Sequence, residues 1–213
     1  IQADYAYMTN LGVEFLSAPV VDASGARFAI FKDPDGVFYK LKEIAGEVEE
    51  TETTHIQRLG AVTINVSDYE QAAAWYAMLG FEEVAPLAAQ ESLEVAQALG
   101  FNSAIEIKGG RFKHVADGSE LELVQWIQPF DPEPPYPAPI NLIGIHRMAF
   151  SSSDIEADVE FLMANGVEMM SPITPCCSGE DSWGGIVAFY DPDGTIMELV
   201  EQPLMTIMSW FSG

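Results

Sequence analysis

Residues 166–200 read GVEMMSPITPCCSGEDSWGGIVAFYDPDGTIMELV, and residues 12–42 read GVEFLSAPVVDASGARFAIFKDPDGVFYKLK. Both stretches run from Gly-Val-Glu through an apolar segment with Ser-Pro or Ser-x-Pro, then a glycine-containing turn, then a strand ending in Asp-Pro-Asp-Gly. From Gly12 to Asp33 is 21 positions and from Gly166 to Asp191 is 25, so the later copy is four residues longer. Identical turns in matching order mark an internal duplication. Pro34 and Pro192 pre-set the first central position of a type I turn, and Gly36 and Gly194 tolerate positive φ. Apolar segments flank each turn, Phe28 to Phe31 before and Val37 to Leu41 after in the first copy. In the second they are Ile186 to Tyr190 and Thr195 to Val200. This pattern predicts two β-hairpins. A worn third version stands at Ala116-Asp117-Gly118-Ser119, leading into a strand over Glu120 to Trp126.

The segments before the hairpins repeat as well. Ala61-Val62-Thr63-Ile64-Asn65-Val66-Ser67-Asp68 reads as a strand ending at a helix-capping Asp, and Arg147 to Asp154 has the same layout. Amphipathic helices are predicted over 69–79, with Ala73, Tyr76 and Leu79 on one face, and over 155–165. Gly80 and Gly166 stop them. Each full unit therefore reads β-α-β-β-β. The expected organisation is a C-terminal half of a first unit (1–42), an acidic linker (43–54), a second unit (55–128), a proline-rich linker (129–139), a third unit (140–202) and an apolar tail (203–213). The acidic linker holds five Glu and no base, which reads as a solvated spacer. The second linker holds six of the 13 prolines and reads as a stiff extended connector.

Charge narrows the function classes. The 213 residues carry 33 acidic and 9 basic side chains, a formal net charge of −24. Phosphate binding along a nucleic acid needs clustered Lys and Arg, so nucleic acid is an unsuitable partner, and so is an anionic membrane surface. No apolar run approaches the ~18 residues of a membrane span. The longest candidate, Ala72 to Phe81, reads as a packed helix. The chain opens at Ile1 without Met and shows no signal-peptide pattern. The expected compartment is the cytoplasm, and the natural chain is expected to begin further upstream. Cys176 and Cys177 are adjacent, so they cannot staple distant segments and read as free thiols in a reducing compartment.

Paired β-α-β-β-β units with strand-Asp-helix openings, Leu79-Gly80-Phe81 after a helix, and an Asp-Pro-Asp-Gly-x-x-x-Glu-Leu closing at residues 191–199 resemble the vicinal oxygen chelate superfamily. That group includes glyoxalase I, extradiol dioxygenases, methylmalonyl-CoA epimerase and the fosfomycin and bleomycin resistance proteins. The resemblance implies an α+β fold in which repeated units form curved, cleft-enclosing mixed sheets. It also implies a divalent metal in the cleft, held by His from first strands and Glu from last strands. The first-strand ligand position lies seven residues before the capping Asp, which gives Ala61 and Arg147. The last-strand position lies four residues after the turn glycine, which gives Lys40, Glu122 and Glu198.

Strand alternation supports that register independently. Leu121 and Leu123, Met197 and Leu199, and Tyr39 and Leu41 share one face, leaving Glu122, Glu198 and Lys40 on the other. The first-strand positions break the family pattern, because Ala61 has no donor atom and Arg147 is permanently charged. Arg147 facing Glu198 or Glu122 forms a charge pair in the metal's place. His146 is one residue out of register, and His55 and His114 stand at unit edges without partner motifs, so a structural histidine is the expected role of each.

Three readings follow. In the favoured one, no cofactor is expected, and the cleft binds a small anionic or oxygen-rich organic molecule at a degenerate metal site. Arg147 grips an anionic group, and Val124, Trp126, Ala149 and Val200 supply apolar contact. The alternative is a metal-dependent lyase, isomerase or dioxygenase using Zn, Fe, Mn or Ni, with Glu122 and Glu198 among the ligands. The third is a structural module without a ligand. For assembly, an incomplete first unit leaves strand edges unpaired. The expectation is a homo-oligomer, or pairing of residues 1–42 with upstream chain.

Overall fold

The computed structural model describes residues 1–43, 56, 58–131, 143–175 and 184–201. Both cysteines, His55, the tail and most of each linker lie outside the described residues. The chain divides into two compact units, Ile1–Pro132 and Glu133–Gly213.

The first unit opens with helix α1 (Gln2–Asn10), followed by β1 (Val20–Val21), β2 (Arg27–Lys32) and β3 (Phe38–Lys42), which form a three-stranded antiparallel sheet in that order. Residues 1–42 thus hold a helix as well as strands. Sequence periodicity did not reveal α1, because its only buried residue is polar Asp4 and it carries no apolar stripe. Tyr5, Phe15, Phe31 and Tyr39 join helix to sheet in a chain of aromatic contacts 4.6, 5.2 and 5.4 Å apart.

The same unit continues with β4 (Val62–Asn65), α2 (Tyr69–Met78), β5 (Phe81–Pro86), α3 (Leu93–Ala98), β6 (Glu106–His114) and β7 (Glu120–Gln128). The sheet order is β4-β7-β6-β5, with β4 parallel to β7 and the other pairs antiparallel. Asp68 caps α2 by accepting from Gln71 N at 3.0 Å, and Gly80, at φ 89°, ends it. The buried residues of α2 are Ala72 and Tyr76; Tyr76 belongs to the face read from the sequence, whereas Ala72 takes the place expected of Ala73, which is half-buried like Leu79. The extra helix α3 is short; Ser92 caps it by accepting from Val95 N. Val95 and Ala98 pack with Val20, Phe28 and Ile30, which fixes α3 against the β1–β3 sheet.

The second unit holds β8 (Arg147–Ser152), α4 (Ile155–Ala164), β9 (Thr174–Pro175), β10 (Gly185–Tyr190) and β11 (Ile196–Glu201). Its order, β8-β11-β10-β9, repeats that of the β4–β7 sheet, again with the first strand parallel to the last. The registers agree to the residue. Thr63 faces Glu122, and Ala149 faces Glu198.

The duplicated turns use one hydrogen-bond set. Gly36 N donates to Asp33 O, and Asp35 N and Val37 N to Asp33 Oδ1. Gly194 N, Asp193 N and Thr195 N treat Asp191 in the same way. Both aspartates also donate from their own backbone amides across the hairpin, Asp33 N to Val37 O and Asp191 N to Thr195 O. The turn at Asp117 differs: Gly118 N donates to His114 O, four positions back, where Gly36 and Gly194 each reach three.

No helix among the described residues is long and apolar enough to cross a membrane.

Candidate functional site

Strand β7 carries Glu120, Glu122, Val124 and Trp126 on one face and Leu121 and Leu123 on the other. Leu121, Glu122, Leu123 and Val124 are all buried, so both faces of this strand are covered. One face lies under α2. The other looks toward the β2–β3 sheet, whose Phe28, Ile30, Lys40 and Lys42 share a face through the pairs Phe28↔Lys42 and Ile30↔Lys40.

Lys40 and Glu122, 82 positions apart in the chain, meet here. The Lys40 ammonium lies 3.7 Å from Glu122 Oε2 and 5.3 Å from the centre of the Phe28 ring. Thr63 Oγ1, from the neighbouring β4, donates to the same Oε2 at 3.3 Å. Glu122 is only 7% exposed. Glu91, just before α3, lies close to the same group: its carboxylate accepts from Ala23 N at 3.1 Å. Burial is the largest influence on Glu91 and, with nearby Asp22, raises it above the ordinary carboxylate range against the pull of Ala23 and Lys40.

Further along β7, the Trp126 indole N–H donates to Asn65 Oδ1 at 2.9 Å, and its ring stands 5.1 Å from Phe101. Trp126 is half-buried and pinned by these two contacts. At the other end of the strand, Glu120 lies 3.6 Å from Lys113 Nζ, 3.9 Å from Arg58 and 4.0 Å from Arg111. Cross-strand pairing sets Lys113 opposite Glu120 and Arg111 opposite Glu122, so these four side chains share a face. Arg58, Arg111, Lys113 and Glu120 escaped the sequence reading. The alternation of Arg111 and Lys113 about buried Phe112 was the signal that could have found them.

In the second unit, Arg147 Nε lies 3.0 Å from Glu198 Oε1, and Glu198 is the more buried partner. Of the apolar contacts expected near these sites, Val124 is buried, Val200 is half-buried and Ala149 is exposed. His114 is structural in its contacts: Nε2 lies 3.0 Å from Leu79 O, Nδ1 lies 3.2 Å from Asp117, and the ring stands edge-on to Phe81. His146 sits one residue before β8.

The donor set fits a divalent cation poorly. At the last-strand positions each carboxylate already faces a cation of the chain itself, Lys40 for Glu122 and Arg147 for Glu198. Ala61, immediately before β4, brings no donor atom. Among the described residues, no three His, Cys, Asp or Glu side chains are grouped so as to hold a metal ion.

Comparison with known proteins bears on this geometry. Residues 58–199, two thirds of the chain, match the model of a family described as Glyoxalase/Bleomycin resistance protein/Dioxygenase superfamily. Among solved structures, a glyoxalase family protein from Bacillus cereus is similar over 72% of this chain and 99% of its own, with TM-score 0.60 and 18% identity. A glyoxalase family protein from Enterococcus faecalis is 26% identical, with TM-score 0.50 over 70% of this chain and 100% of its own. A mutant glyoxalase I from Zea mays covers 91% of this chain and 61% of its own, at TM-score 0.60 and 17% identity. No curated protein matches.

Proposed function

The chain belongs to the Glyoxalase/Bleomycin resistance protein/Dioxygenase superfamily, and from that premise we propose that it binds a small anionic or oxygen-rich organic molecule at a site where the metal has been replaced by the chain's own cations. The observation that carries this reading is the Lys40–Glu122 pair, supported by the Arg147–Glu198 pair. A cation already sits beside each carboxylate that the family pattern offers to a metal. Two unit charges 4 Å apart interact by ~4 kcal/mol at an effective dielectric of ~20, and a divalent ion feels twice that repulsion from each ammonium or guanidinium. The same cations attract an anion, and half-buried Trp126 offers it an apolar wall.

Outer strand β3 has no neighbour beyond it among the described residues, whereas β7 and β11 each have a parallel one. We propose that this edge is filled by a strand from a second copy or from upstream chain, because an open edge favours pairing. Sedimentation that shows only monomers, with rapid amide exchange along residues 38–42, contradicts this.

Metal analysis of the purified chain after dialysis against Zn²⁺, Fe²⁺, Mn²⁺ or Ni²⁺ tests the main reading. The expected result is far less than one ion per chain. Stoichiometric metal whose chelation abolishes an activity overturns the reading in favour of a metal-dependent lyase, isomerase or dioxygenase.

A further inference from the structure

We propose that Arg58, Arg111 and Lys113, gathered around Glu120 at the start of β7, form a subsite for a dianionic group, either a phosphate monoester or a pair of carboxylates. The inference rests on the reading of this unit's cleft as a ligand site. It starts from the distribution of charge. The chain has nine basic residues, and among the described residues three of them, Arg58, Arg111 and Lys113, lie within 4.0 Å of one carboxylate, Glu120, while Lys40 lies beside Glu122. Elsewhere among the described residues, Arg27 with Glu43, Lys42 with Asp22, Lys108 with Glu70, and Arg147 with Glu198 pair one to one. Three cations therefore share one ion-paired carboxylate, with Glu82 across from Lys113 on β5, in a chain whose net charge is −24.

The geometry leaves these cations unspent. All three approach Glu120 at 3.6–4.0 Å, outside ordinary hydrogen-bond length, so one carboxylate is shared without saturating any partner. Their side chains are 61%, 41% and 51% exposed for Arg58, Arg111 and Lys113 respectively. Their free N–H groups are accessible from solvent. A purely structural ion pair needs one cation for Glu120, not three. Guanidinium forks match the paired oxygens of carboxylate and phosphate, and a doubly charged group carries enough acceptor oxygens to engage all three cations at once.

Isothermal titration of the full chain with inorganic phosphate and with succinate tests this, and the stronger of the two identifies the source of the dianion. Binding is expected at one site per chain. Arg111→Gln and Lys113→Gln should each weaken it by about tenfold or more, while Glu120→Gln should tighten it. Arg58→Gln, at the most exposed position, gives the same readout with the least risk to folding, which circular dichroism checks. Binding that is indifferent to all of these variants overturns the subsite. If such binding is instead lost in Lys40→Met, the cleft reading survives and only this inference fails. Failure of the wild-type chain to bind either anion also overturns the subsite, and leaves the cleft reading to the metal measurement.

Discussion

Arg147 decides more about metal chemistry in the second unit than any other side chain. Its guanidinium lies 3.0 Å from Glu198, the one carboxylate the family register offers there. Arg147→His removes the permanent charge and adds an imidazole donor, so affinity for Zn²⁺ should rise by at least ~tenfold, as measured by competition with a chromophoric chelator. An unchanged affinity shows that Glu198 is no ligand even when freed. Glu91 gives a prediction about pH. Its folded-state proton affinity is raised, chiefly by burial, so the folded chain holds that proton more tightly than the unfolded one. Stability must then fall as pH rises through the range just above the ordinary carboxylate pKa. Glu91→Gln should remove this dependence: the variant gains on the wild type between pH 4 and pH 7, in urea denaturation at each pH. A gap that does not change with pH contradicts the assignment.

Strand β6 shows how an element's residues are chosen for what lies across from them. Gly109 pairs with Val124 and Gly110 with Leu123. A Cβ at Gly109 would stand 2.4 Å from the Leu123 carbonyl oxygen, and one at Gly110 would stand 2.3 Å from the Tyr69 hydroxyl. The first clash is with backbone and cannot be relieved by turning a side chain. Gly109→Ala should therefore cost about 1–3 kcal/mol in denaturant unfolding, the range for overpacking. A loss within experimental error would show that the β6–β7 ladder shifts freely. Tyr69 shares this packed region: burial first, then the adjacent Glu83 carboxylate, push its phenol up to about 12, so it stays neutral at physiological pH.

Across the whole molecule, acidic residues outnumber basic ones by 24. Self-repulsion of that size opposes any compact state and is screened by salt, with a Debye length falling from ~10 Å at 0.1 M to ~3 Å at 1 M. The melting temperature should rise with NaCl over that interval, as followed by scanning calorimetry. A flat or falling profile means that local ion pairs, weakened by the same salt, outweigh the net repulsion. The two units need separate attention in such a trace, because two-state behaviour is not guaranteed for a chain with two compact parts.

The turns, caps and strand register were legible in the residues themselves, because each depends on chemistry within a few positions. Asp33 and Asp191 collect the same three turn amides, and Asp68 and Asp154 each accept from the amide three residues on. Alternation along β7 and β11 likewise sets Glu122 and Glu198 opposite the leucine face. Helix α1 stayed hidden because it buries a polar residue rather than an apolar stripe, and α3 because six residues are too few to show a period. The partners of the carboxylates were a matter for tertiary structure. Charge alone left Arg147 free to pair with Glu198 or Glu122. Parallel pairing of β8 with β11 brings it to Glu198, and the packing of β3 against β7's other face gives Glu122 to Lys40. Contacts across 82 residues are set by how sheets pack, since no local energy term links the two positions until the core between them has formed.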